Sequence, residues 1–235
     1  MEEEFIYWRH PTVPGIKVEE VSGGEGRPSK LWMALGRQLY CENGRDEFRE
    51  IGHYASGAPF LYGESCRISI THCRSLFAVA TLAPTPDVDL SVFSEQTALG
   101  IDAERTDRRQ VLSVRERFLN AKELEMIACD NLLQNIQAWT IKEAVYKAAL
   151  QEGLDFRTGM TIKRLPKPGP AVPVFNPVEF GLPKDSNHLP DNFYGEVETQ
   201  LCLFRTYSYL SDGHIVTLAY TDQSARLGKS QKPAG

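Results

Sequence analysis

No stretch of this 235-residue chain approaches the about 20 apolar residues that a membrane-spanning helix needs. Ser75 to Pro86, one of the longer runs free of Asp, Glu, Lys and Arg, contains two prolines. Cysteine is scarce: Cys41, Cys66, Cys73, Cys129 and Cys202 form an odd set with no C-x-x-C pair. That excludes a disulfide framework or a zinc knuckle as the organising device and points to the reducing cytoplasm. An excess of basic residues is also missing, since 26 Lys and Arg face 31 Asp and Glu for a net charge of −5. Such a balance weighs against a surface that tracks nucleic-acid phosphates. The first residues, Met1-Glu2-Glu3-Glu4, are acidic where a secretory signal is basic and then apolar. There is no fixed-period repeat. His10, His53, His188 and His214 have no metal-ligand spacing, and no Ser/His/Asp or Cys/His nucleophile pattern is evident. What is present is ordinary for a globular protein, with 42% apolar and 24% charged residues. The length allows one large domain or two compact halves, each with a core.

Residues 1–30 read as irregular, with Gly23-Gly24-Glu25-Gly26 as a turn. Leu31, Met33, Ala34, Leu35 and Leu39 predict an amphipathic helix over Leu31–Cys41, capped by Ser29. Ser56–Gly63 predicts a turn into extended chain, and Cys66–Ile70 and Leu76–Leu82 predict strands joined through Thr71–Arg74. Pro84–Gln96 reads as a loop and Ala98–Glu104 as another strand. Helix signals follow: Val111–Leu119 is amphipathic, Asn120 and Glu123 have capping-box spacing, and a periodic segment runs from about Asn131 to Gln151 with Gly153 as its stop. Seven of the 14 prolines fall between Pro166 and Pro190, which predicts turns and edge segments. Tyr194–Tyr209 and His214–Tyr220 predict a hairpin turning at Ser211-Asp212-Gly213, and the tail from Gln223 reads as disordered. Paired strands in both halves with helices between them predict an α+β fold.

Two clusters carry possible chemistry. On a strand, Asp102 and Glu104 in Gly100-Ile101-Asp102-Ala103-Glu104 share one face, while Ile101 and Ala103 take the other. Two like charges side by side are costly unless a cation sits between them or water screens them. Taken alone, D-x-E favours the solvated alternative. The second cluster is Trp139-Thr140-Ile141-Lys142-Glu143-Ala144-Val145-Tyr146-Lys147, where Trp139, Glu143 and Lys147 recur at i, i+4, i+8 on one helix face. Its bland reading is a core tryptophan beside a surface Glu–Lys pair. A third carboxylate meeting Asp102 and Glu104 would instead complete an all-oxygen Mg²⁺ site, with a lysine one turn away to offset phosphate charge. Arg105, Arg108, Arg109, Arg115 and Arg117 form a basic run that is either a solvated face or a dock for an acidic partner.

Taken in order, these segments resemble a known family. Gly100–Glu104, then Arg117-Phe118 closing on Glu123, then the W-x-x-K-E-A-x-x-K helix of Trp139–Lys147 are similar to the signature of the 4′-phosphopantetheinyl transferase superfamily. The length resembles its larger, surfactin-synthetase-activating type. Ser69-Ile70-Thr71-His72 is similar to that type's N-[IL]-S-H-S segment, and Gly57-Ala58-Pro59-Phe60 to its G-K-P-[YF] turn.

The resemblance implies two pseudo-symmetric α/β halves, residues 1–98 and 99–222, with an active site at their junction and a tail over 223–235. It implies Mg²⁺-dependent transfer of 4′-phosphopantetheine from coenzyme A to a serine of an apo acyl or peptidyl carrier protein, releasing 3′,5′-ADP. Fatty-acid, polyketide and non-ribosomal peptide carriers are all open, and the chain would act as a monomer. Asp102, Glu104 and Glu143 would hold the metal. Glu143, Lys147 and His72 would be the catalytic group, with Glu143 taking the serine proton and Lys147 assisting the departing phosphate. Coenzyme A would be held by Lys30, Arg37, Gly57, Ala58, Pro59, Thr71, His72, Lys142 and Lys147. The chain departs from the pattern at Thr71 and Cys73, where serines are usual, and at Ala58, where a lysine is usual. Two other readings are a metal-dependent nuclease and a non-catalytic relative that binds carrier protein or coenzyme A. In a D…E-x-K nuclease the acid and lysine lie one residue apart on a strand, whereas Glu143 and Lys147 are four apart.

Overall fold

The computed structural model describes residues 4–9, 16–22, 51–55, 57–63, 66–73, 76–82, 98–169 and 191–221. The predicted helix over 31–41, the loop over 84–96, most of the proline-rich stretch and the tail from 223 lie outside these. The described residues form a mixed α/β arrangement of sheets and three α-helices. A four-stranded antiparallel sheet has the order β1-β2-β6-β5, built from β1 (Glu4–Arg9), β2 (Ile16–Ser22), β5 (Arg67–Cys73) and β6 (Leu76–Leu82). A five-stranded antiparallel sheet has the order β7-β11-β10-β9-β8, built from β7 (Leu99–Arg105), β8 (Met160–Arg164), β9 (Tyr194–Thr199), β10 (Leu203–Ser211) and β11 (His214–Thr221). A small hairpin pairs β3 (Ile51–His53) with β4 (Pro59–Leu61).

Period-2 patterning explains the layering. Ile16 and Val18 of β2, Leu76, Ala78, Ala80 and Leu82 of β6, and Leu99, Ile101 and Ala103 of β7 join Val216, Leu218 and Tyr220 of β11 in one apolar layer between the large sheets. The opposite face of the five-stranded sheet packs on α1 (Gln110–Phe118), α2 (Ala121–Met126) and α3 (Leu132–Ala149), through Ile215, Val197 and Phe204 against Ile136, Ile141, Ala144 and Val145. Asn120 and Glu123 form the predicted capping box of α2, and Asn131 caps α3 by accepting from the Gln134 N–H. Among the described residues no helix is long and apolar enough to cross a membrane.

Several expectations are corrected. Part of the segment read as irregular is strand, since β1 pairs with β2 and β2 with β6. Thr71–Cys73 is not a connection: β5 continues through it in unbroken register with β6. The predicted first hairpin arm is two strands, turned at residues 200–202, where Thr199 and Cys202 hydrogen-bond to each other without a glycine or proline to mark the turn. Strand β8 was not foreseen. Helix α3 ends at Ala149, within two residues of the expected Gln151, with Leu150 in the left-handed region at φ 50°.

Candidate active site

Strand β7 is an edge of its sheet, so its outer N–H groups need partners. The neighbouring strand β5 supplies them with side chains rather than backbone. The Ile101 N–H donates to Ser69 Oγ at 3.0 Å and the Ala103 N–H to Thr71 Oγ1 at 3.1 Å. Alternation then fixes where the acids go. With Ile101 and Ala103 in the apolar layer, Gly100, Asp102 and Glu104 take the α3 side of β7. Gly100 lets the helix come close: a Cβ there would lie 1.9 Å from the Ala144 carbonyl oxygen and 2.8 Å from the Ala148 nitrogen. That contact brings Glu143 and Lys147 of α3 against the acidic face of β7.

Lys147 Nζ donates to Asp102 Oδ1 at 2.8 Å and to the Ile101 carbonyl at 3.0 Å, and reaches the Ile70 carbonyl of β5 at 3.4 Å. Thr71 donates its hydroxyl to the same Asp102 oxygen at 3.2 Å. Glu104 accepts from Arg108 through one oxygen, and from the Arg105 N–H and Cys73 Sγ through the other. Arg108 also stands over the Trp139 ring, 6.0 Å from its centroid, and Trp139 packs edge-on against Phe118. Glu143 is half-buried and makes no hydrogen bond among the described residues.

The electrostatics follow from this crowding. Burial pushes the Asp102 carboxyl above its ordinary range, while the charge and hydrogen bond of Lys147 and the Thr71 hydroxyl pull it back. Burial and then the like charge of Asp102 raise Glu143, opposed by Lys147 and Arg108. Three acids therefore share one region with two cations, and the compensation is incomplete. Oxygen donors alone suit a hard divalent cation. Among the described residues, however, no three His, Cys, Asp or Glu side chains are grouped to hold a metal as they stand. Arg108 and Lys147 occupy two of the three carboxylates.

A cavity of about 720 Å³ opens at Lys147, and none of Asp102, Glu104 and Glu143 lines it. Gly57, Ala58 and Pro59 line it from the β3–β4 hairpin, Arg67 and Ser69 from β5, and Tyr146, Lys147 and Gln151 from the end of α3 and beyond. Its size is that of small-molecule sites. Gln151 contributes a buried side-chain amide oxygen with no hydrogen-bond partner among the described residues.

The expected site residues are thus sorted. Asp102, Glu104, Glu143 and Lys147 come together, and Gly57–Pro59 and Lys147 share the cavity. Thr71 lies beneath, bonded to Asp102 and β7, and does not line the cavity. His72 is exposed on the other face of β5, stacked on Phe77 at 6.1 Å, so it meets neither the acids nor the cavity. Lys142 is a correction. It is wholly buried and donates to Glu123 Oε2 at 2.7 Å and to the Phe156 and Met160 carbonyls, a structural post rather than a ligand contact. Lys30 and Arg37 lie outside the described residues. The basic run also divides: Arg115 is tied to Asn135 and the Ile127 carbonyl and Arg105 to Asp107, leaving Arg109 and Arg117 exposed. The sequence reading missed Arg67 and the bond between Arg108 and Glu104. No local spacing rule marks the latter, because Glu104 lies on β7 and Arg108 in the turn before α1.

Asp102, Glu104, Glu143 and Lys147, but not the site residues from β3 to β5, fall within the span of one family match. The model of the 4′-phosphopantetheinyl transferase superfamily matches residues 98–190, from the start of β7 across α1, α2, α3 and β8, and supports a transferase role. No curated protein matches the chain.

Proposed function

We propose that the protein transfers 4′-phosphopantetheine from coenzyme A to a serine of an apo carrier protein, as a monomer with its site between residues 1–98 and 99–222. One observation carries the reading: Lys147 both lines the cavity and donates to Asp102, joining a ligand-sized space to the acidic cluster. The family match over residues 98–190 supports the same chemistry. Coenzyme A would fill the cavity with its adenine end toward Gly57–Pro59, leaving its pyrophosphate near Lys147 and the acids.

Asp102, Glu104 and Glu143 would be the oxygen donors for a magnesium ion, which when bound would clamp the pyrophosphate and offset its charge. Glu143 accepts the proton of the carrier serine as that oxygen attacks the phosphorus bearing the pantetheine arm. Its side chain makes no hydrogen bond among the described residues, which leaves a carboxylate oxygen to take that proton. As the new P–O bond forms, the bond to 3′,5′-ADP breaks, and Lys147 stabilises the charge left on the departing phosphate. Exposed Arg109 and Arg117 face outward, where an acidic carrier surface can meet them.

The test is direct. Protein, Mg²⁺, coenzyme A and an apo acyl or peptidyl carrier are incubated and the intact carrier mass is recorded. A gain of one phosphopantetheine group is expected, removed by chelation of the metal. No gain across fatty-acid, polyketide and peptide-synthetase carriers would refute the reading.

A further inference from the structure

The acids are balanced in an unusual way. Asp102 is held by Lys147, which is anchored further by two backbone carbonyls and reaches into the protein. Glu104 is held by Arg108, four residues on, at the open end of β7. The two cations differ in exposure. The Lys147 side chain keeps 29% of its surface and the Arg108 side chain 45%, while Glu104 keeps only 10%. Arg108 is therefore the cation that can leave for solvent without carrying its partner along. In the same conformation its guanidinium stands over the Trp139 ring of α3. Glu143 feels the Arg108 charge as well.

Charge arithmetic gives this a direction. Asp102, Glu104 and Glu143 against Lys147 and Arg108 leave one negative charge uncompensated. Exchange of Arg108 for a divalent cation removes that excess while keeping Lys147 in place. The same exchange frees the Glu104 oxygen that Arg108 now covers. As they stand, no three acidic side chains among the described residues are grouped to share an ion.

We propose that Arg108 is the exchangeable counter-cation of this site: it neutralises Glu104 until a divalent metal displaces it, so the Arg108–Glu104 pair and metal binding are mutually exclusive. The inference rests on the metal-site reading above, and the test separates the two. Mn²⁺ binding is measured by the electron paramagnetic resonance of the free ion for wild type, Arg108→Gln and Arg108→Lys, without coenzyme A. Folding is followed by circular dichroism, and the lysine variant carries the test if the glutamine variant does not fold.

Loss of a half-exposed competitor is expected to tighten Mn²⁺ binding about two- to fivefold in Arg108→Gln, with a smaller gain in Arg108→Lys. It is also expected to enlarge the rise in Tm that Mn²⁺ produces. Equal or weaker affinity in both variants would overturn the exchange while leaving the metal site standing. Absence of Mn²⁺ binding in wild type and both variants would overturn both readings.

Discussion

Single side chains decide where charge is tolerated in this molecule. Lys142 and Glu143 are sequence neighbours, yet about 100° of helix rotation sends one into a sealed pair with Glu123 and the other toward Asp102. Sequence spacing placed both on a functional helix but could not tell a structural lysine from a ligand-binding one. That distinction needs the carbonyls of Phe156 and Met160, which arrive from beyond the helix. Removing one partner from so buried a pair strands the other charge, a loss of about 3–5 kcal/mol. Glu19 on β2 is different again. It is buried, one of its oxygens has no hydrogen-bond partner among the described residues, and burial raises its carboxyl to about 7 against a partial pull from Lys17. A folded pKa above the unfolded value means its contribution to stability is whole below about 4.5 and is lost as pH rises through about 7. The loss is on the order of 3 kcal/mol at most. In urea unfolding at pH 5 and pH 8, wild type should lose stability relative to Glu19→Gln. Parallel behaviour of the two proteins would show that Glu19 ionises inside the fold as readily as in the unfolded chain.

The elements show why part of the fold was legible. Strand β7 and helices α1 to α3 carry strong local signals: alternation, a capping box, an asparagine cap and a long apolar period. The structure places them within a residue or two of expectation. Strands β1, β2 and β8 lack such signals, and β5 hid its last three residues. Ser69, expected in the strand, and Thr71, expected in the connection, are both strand residues whose hydroxyls take the N–H groups of β7. That is long-range pairing, which local composition does not encode. The contact of α3 with β7 is the element-scale hinge of the account, and Gly100 is where it can be broken. Its missing Cβ leaves room for the Ala144 carbonyl, and the obstruction to a larger residue is backbone, which cannot swing aside. Gly100→Ala should cost at least about 2 kcal/mol in urea unfolding and separate the acids of β7 from Glu143 and Lys147. An unchanged midpoint would mean that the strand and helix are not held at this distance.

Across the whole molecule, the site is a consequence of topology. The four-stranded sheet delivers Ser69 and Thr71, the five-stranded sheet delivers Asp102 and Glu104, and α3 delivers Glu143 and Lys147. The cavity beside them is lined from both sides of that junction. The acids could be read from the sequence because their spacings are local to one strand and one helix. The internal cations that hold them, the outward turn of His72 and the cavity itself could not, because each depends on which elements become neighbours. In the proposed function, Glu143 is the base of a phosphopantetheine transfer. Its most direct test is a single-turnover experiment with saturating coenzyme A and Mg²⁺, comparing wild type with Glu143→Gln by the intact mass of the carrier. The account predicts that the variant keeps its fold and transfers at least about 100-fold more slowly. Transfer by Glu143→Gln at close to the wild-type rate would contradict it.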